Sequence, residues 1–281
     1  MQEQISNKKP NEPPVEKEMS FWDHLEELRK HLFRSIAVIM VFAIAAFIGK
    51  KFIFDYVLLA PKDADFITNR ALCKLGEIMS IDALCVGNLN LSMQNIQMSG
   101  QFMTHMYVSM VAGLIIAAPY VIWELWRFIM PALHPNEKKH SKGAVVVSSF
   151  LFISGVLFAY FLIVPLTISF LGTYQVSADV PNQIQLNSYI STVISVTLAV
   201  GIVFELPILV YFLTKVGVIT PEFMKKNRKF MLVIVLVLSA IITPPDIFSQ
   251  VLVCIPLIVL YEISIRISAR VQKQRDAELA G

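Results

Sequence analysis

Apolar positions fall into six runs, at about residues 32–54, 102–130, 143–171, 189–213, 230–242 and 247–265. Charged residues gather between them. A bilayer core of ~30 Å takes ~20 apolar residues in helical form, so the pattern predicts membrane-spanning helices. The first run is interrupted by Gly49-Lys50-Lys51. The fifth has only 13 residues, and at ~1.5 Å per residue it covers ~20 Å, less than an average bilayer. Thr243-Pro244-Pro245-Asp246 joins it to the sixth. Two prolines break a helix, because each lacks a donor and clashes with the preceding turn. Runs five and six are therefore expected to form a tight hairpin, with thinned lipid or neighbouring helices covering its short side. The fold class predicted is an all-α integral membrane protein with six transmembrane helices, the fifth and sixth short.

Composition agrees with that reading. Of 281 residues, 56% are hydrophobic and 16% charged, against about 25% charged in a soluble domain. Residues 1–19 have no apolar core, so they do not read as a cleaved signal peptide. Their Lys, Glu, Pro and Asn content predicts a disordered lead-in. The transmembrane domain is placed at 20–266 and a polar tail at 267–281. Net charge is only +3, but its placement matters: 19 of the 24 Lys and Arg precede run one, flank the 2–3 and 4–5 connections, or lie in the tail. Lys50, Lys51, Lys62, Arg70 and Lys74 make up the rest. The positive-inside rule then puts both termini in the cytoplasm.

The longest connection, about 55–101, falls on the opposite side and holds Cys73 and Cys85. An oxidising compartment would allow a disulfide there. Sequence separation leaves open whether the two Cα atoms come close enough, so two free thiols stand as the alternative. Cys254 is expected to be packing. No CxxC pair or Cys/His cluster has zinc-ligand spacing, so no metal is expected. No Gly-rich phosphate loop and no nucleophile–base constellation appears, so neither a cofactor nor an enzyme is expected. Nothing points to nucleic acid.

Three carboxylates attract attention. Ser20 and Asp23 fit a capping box, which starts a helix before run one. Phe21, Leu25, Leu28 and Leu32 share one face of it, as in an interfacial amphipathic helix, and Trp22 suits the headgroup zone. Glu27 stands in this segment, two residues before Arg29 and four before His31. Read alone, it is an acidic helix start that complements the helix dipole. Glu137, beside Lys138 and Lys139, reads alone as a weak surface ion pair. Glu205 lies ~12 Å inside run four, measured along the helix. An ionisable group there costs at least ~2.5 kcal/mol, so it should face a cavity, meet a partner or be protonated. Pro207 frees a carbonyl nearby and is expected to kink the helix. Elsewhere, Glu124 is expected to pair with Arg127 and Glu262 with Arg266, while Asp246 and Ser249 are expected to cap the sixth helix.

Taken together, His24-Leu25-Glu26-Glu27-Leu28-Arg29-Lys30, Trp126-Arg127-Phe128-Ile129-Met130-Pro131-Ala132-Leu133 with Glu137, Phe158-Ala159-Tyr160-Phe161, Phe204-Glu205-Leu206-Pro207 and Thr243-Pro244-Pro245-Asp246 resemble TatC, the polytopic subunit of the twin-arginine protein translocase. Ala60-Pro61 and Ala118-Pro119 add to the likeness, which covers about residues 20–266. The resemblance implies a cupped six-helix bundle in the bacterial inner membrane. It implies binding of twin-arginine signal peptides by Glu27 and Glu137, with Arg29 alongside. Glu205 and Pro207 would serve transport and contact with small single-span subunits of the TatA/TatB type. Phe128, Pro244, Pro245 and Asp246 would be structural. Self-association, contact with membrane lipid and use of the proton gradient are also implied. Many relatives carry Gln where this chain has Glu124, and the two cysteines of the 55–101 connection are not part of the likeness.

The chemistry fits that picture. Guanidinium is planar and always charged, so it pairs bidentately with carboxylate, and two arginines need two acceptors. The competing reading is a proton-coupled small-molecule transporter using Glu205. It predicts several midplane polar groups and internal symmetry. The sequence offers one deep acid and no repeat.

Overall fold

The computed structural model describes residues 21–79, 93–129, 141–177, 179–180, 182–243 and 247–280. In chain order the helices are α1 Phe21–Ile48, α2 Ile67–Met79, α3 Gly100–Ile129, α4 Ser141–Phe158, α5 Val164–Thr173, α6 Leu186–Val203, α7 Leu206–Lys215, α8 Pro221–Lys226, α9 Arg228–Ile242 and α10 Ile247–Ala280. Five helical stretches are long and apolar enough to cross a membrane: His24–Ile48, Gly100–Ile129, Gly143–Thr173, Leu186–Lys215 and Ser249–Ala277. The sixth transmembrane element, α9, has 15 residues and so reaches about 22 Å. The bundle is all-α with six spans, and its fifth is short as expected.

Three boundaries differ from the hydropathy pattern. The first helix starts at Phe21, so the segment before run one is continuous with the span and is not a separate interfacial helix. After Ile48 the chain turns at Gly49 into a wide helical turn over Phe52–Leu58. The sixth helix was expected to end near 265, yet it runs to Ala280. Packing explains that extension. Ile265 and Val271 are buried, Ser268 Oγ lies 2.8 Å from Thr214 Oγ1, and Arg275 Nη1 donates to the Thr214 carbonyl at 3.3 Å. A cation on the last carbonyls of α7 suits that helix end.

Span three contains a wide turn at Ala159–Ile163 between α4 and α5. Pro165 follows, and it has no N–H to offer the carbonyl of Phe161. Thr68 Oγ1, from α2, donates to that carbonyl instead. Two tyrosines tie the end of span one to the same region: Tyr160 to the Val57 carbonyl at 2.7 Å and Tyr189 to the Leu58 carbonyl at 2.9 Å. Ile163, Ile190, Val200, Val253 and Leu257 are fully buried and form the centre of the core. A short parallel pair, β1 Met93–Gln94 with β2 Ile184–Gln185, joins the 1–2 and 3–4 connections.

Helix α1 packs on α3 through small residues. A Cβ on Gly113 would lie 2.6 Å from the Ala43 nitrogen and 2.8 Å from the Ile39 carbonyl oxygen. Both are backbone atoms, so no rotamer change relieves the clash. Gly113→Val is therefore expected to push α1 off α3 and lower the thermal unfolding midpoint in detergent. The expected cost is about 1–3 kcal/mol, the range for overpacking. An unchanged midpoint would show that the two helices cross more loosely than this.

Candidate functional site

The face of α1 turned toward α3 is its polar one. His31, Ser35, Ala43 and Ala46 are buried, and His24 and Glu27 are partly buried, whereas Leu25, Leu28, Leu32, Phe33 and Ile36 are exposed. The apolar residues at the start of the chain therefore face outward, toward lipid. In a membrane an outward apolar face costs nothing, while polar groups need partners inside the bundle.

Those partners come from the last turns of α3. Nδ1 of His31 is hydrogen-bonded to Oε2 of Glu124. The hydroxyl of Tyr120 donates to Oε1 of Glu124 at 2.9 Å, and Arg127 Nη1 stands 3.7 Å from the same oxygen. Glu124 itself is 1% exposed. The Arg127 guanidinium also lies over the Trp123 ring, 4.8 Å from its centroid. His24 stacks on Phe128 with ring centroids 4.4 Å apart, and His31 meets the same ring edge-on at 6.3 Å. Phe128 thus holds two imidazoles in place. On the outer side, Glu27 Oε1 lies 4.0 Å from His31 Nε2 with about a third of its side chain, 34%, exposed. Arg29 is exposed, and Lys30 pairs with Glu26 at 2.9 Å. The expected Glu124–Arg127 pair is present, but His31 and Tyr120 are the closer partners.

The second site lies where span four breaks. The chain leaves α6 at Phe204 and Glu205 and restarts as α7 with Pro207 in its first turn. Pro207 withholds the N–H that the Val203 carbonyl would receive, and this accounts for the break. Ser148 of α4 donates to Glu205 Oε2. Glu205 Oε1 is buried and has no hydrogen-bond partner among the described residues. A groove of about 440 Å³ is lined by Ala144, Val147, Leu151, Pro207, Ile208 and Tyr211, sequence neighbours of Ser148 and Glu205.

Residues 23–256 match the family described as Sec-independent protein translocase protein (TatC). The chain belongs to the TatC family. It is 44% identical over 260 residues to the Sec-independent protein translocase protein TatC of Blattabacterium sp. subsp. Periplaneta americana, covering 92% of this chain and 98% of that one. It is 34% identical over 255 residues to the TatC of Carboxydothermus hydrogenoformans, covering 90% and 94%. A crystal structure of the twin-arginine translocase receptor TatC superposes with a TM-score of 0.66 at 34% identity, covering 87% of this chain and 97% of that one. Its counterpart in DDM gives 0.68. As a TatC, the protein is a membrane-embedded component of Sec-independent, twin-arginine translocation and not an enzyme.

Other expected residues of this TatC are placed as follows. Glu137, Cys85, Pro244, Pro245 and Asp246 lie outside the described residues. Cys73 is disulfide-bonded, and Cys254 is a buried free thiol. Glu262 pairs with Arg228 of α9 at 2.9 Å and not with its helix neighbour Arg266 as expected. The antiparallel hairpin of α9 and α10 brings that more distant partner closer. Sequence reasoning had no role for His31. The available signal was the spacing of His24, Glu27, His31 and Ser35 along one side of a helix that is otherwise apolar.

Proposed function

We propose that this TatC binds twin-arginine signal peptides where α1 begins, with Glu27 accepting one arginine and Glu137 the other. The observation that carries this is the setting of Glu27. Its carboxylate is part-exposed on α1, 4.0 Å from the His31 ring, which the buried Glu124 of α3 holds in place, with Arg29 and Lys30 close by in the chain. A guanidinium reaching it would leave bulk water on one side, where an ion pair is stronger than on an open surface. On this reading both termini are cytoplasmic, in a bacterial inner membrane, and the apolar stretch of the signal lies along the bundle.

Glu205 takes the second role in the proposal. With one oxygen buried and unsatisfied in a broken span, it suits a donor from the transmembrane helix of a small single-span subunit of the TatA/TatB type. Energy would come from the proton gradient, and copies of the chain would associate in the working complex. A small-molecule transporter finds no support in a second cavity among the described residues. That 250 Å³ space is lined by Phe52, Ile53, Val108, Val111, Ile115 and Ile194 among others, with a single threonine and a single tyrosine as polar members.

The test is photocrosslinking of a purified twin-arginine signal peptide in membranes. Glu27→Ala and Glu137→Ala are each expected to cut crosslinking about tenfold, the value of one charge-assisted hydrogen bond or more. Membrane insertion should be unchanged. Undiminished crosslinking in the double variant would overturn the assignment.

A further inference from the structure

We propose that His31 is the second acceptor of the arginine subsite formed by Glu27, and so favours a guanidinium over an ammonium there. The proposal rests on the reading of Glu27 above. It begins with the tautomer. Glu124 receives the Tyr120 hydroxyl and lies 3.7 Å from Arg127, so it acts as an acceptor, and His31 Nδ1 carries the hydrogen between them. A ring fixed this way gains and loses its proton only at Nε2. Nε2 points to the Glu27 side, 4.0 Å from Oε1, and has no hydrogen-bond partner among the described residues. Phe128 stands edge-on to the ring, and Ser35 donates to the His31 carbonyl at 2.9 Å.

Neutral His31 thus presents a lone pair one helical turn from a carboxylate. Guanidinium carries five N–H groups in a rigid plane and can donate to both acceptors at once. A lysine ammonium is a compact charge that Glu27 alone satisfies well. When Nε2 is protonated the second acceptor is gone. The imidazolium then neutralises Glu27 and repels the incoming cation. The charged and titratable groups around His31 are Glu27 and, across the shared Phe128 ring, His24 from its own helix, and Glu124, Tyr120 and Arg127 from α3, with Arg34 close enough to act on Tyr120.

The experiment uses the full-length protein in lipid nanodiscs. The probes are two fluorescent peptides, acetylated and amidated, free of His, Asp and Glu, one with Arg-Arg and one with Lys-Lys before the same apolar stretch. For the native chain, affinity for the arginine peptide is expected to rise about tenfold from pH 5.5 to pH 8, as one charge-assisted hydrogen bond is gained. The arginine-to-lysine preference is expected to rise with it. His31→Gln keeps an acceptor and cannot titrate, so its affinity should be flat with pH while the preference persists. His31→Leu should lose both the slope and the preference. If that variant fails to fold, His31→Gln alone decides the matter. A native slope in His31→Gln overturns the proposal. Glu27→Ala separates the two ideas. If it still binds the arginine peptide normally, the Glu27 reading fails and this inference with it. If it loses binding while His31→Gln keeps the native slope, only this inference fails.

Discussion

Glu124→Ala is expected to destabilise the protein by about 3–5 kcal/mol, the cost of removing one partner from a buried charged cluster. The carboxylate is 1% exposed and has His31, Tyr120 and Arg127 around it. Alanine leaves the imidazole N–H of His31 without an acceptor in a buried site and takes the acceptor from the part-buried Tyr120 hydroxyl. It also removes the only contact of this kind between the first turns of α1 and the last turns of α3 among the described residues. The measurement is the thermal unfolding midpoint of the detergent-solubilised protein, followed by Trp fluorescence. Glu124→Gln keeps one acceptor oxygen, and its loss should be less than half as large. Equal losses for the two variants would show that negative charge, and not acceptor capacity, holds the cluster together. No loss in either would show the cluster to be idle.

Glu205→Ala should behave in the opposite way, with little effect on stability and a large effect on transport. Its carboxylate is only half satisfied: Ser148 serves Oε2, and Oε1 is buried without a partner among the described residues. Removing a buried group with an unmet oxygen costs little or even stabilises. If that oxygen waits for a partner helix, its loss should cut export of a folded reporter on the order of tenfold or more, one hydrogen bond to a charged group. Signal-peptide crosslinking should stay within about twofold of the native level, below the cost of any lost hydrogen bond. Loss of crosslinking would mean that the signal, not a partner subunit, meets Glu205.

The six spans were legible because lipid imposes a length on every apolar run. The shortness of the fifth and the break at Pro207 were legible for an equally local reason. The hydrogen-bond network around Glu27 was not. His31 and Glu124 are 93 residues apart in sequence, and nothing in either segment names the other. The natural guess, that Phe21, Leu25, Leu28 and Leu32 form a face that lies on the membrane, holds for the outward placing of the three leucines but had the wrong partner for the opposite side. The polar positions of α1 are sheltered by α3, and the leucines are left outside. The packing of the tail was hidden for a similar reason. Its charges look solvated in one dimension, but Ile265, Ser268, Val271 and Arg275 recur at helical spacing and meet Thr214 and its neighbours at the end of α7.

The continuous sixth helix has a mechanical consequence. Its 34 residues make a rod of about 51 Å, and hydrocarbon accounts for only ~30 Å of that. The remainder is latched along α7 by Ser268 and Arg275, at the end of the bundle where Lys215 ends that helix. A fluorophore or spin label placed on its outer turns would follow the orientation of the whole protein like a needle on a dial. Distances measured from it would report rigid-body tilt of one copy against another, without the blurring that a loose tether introduces.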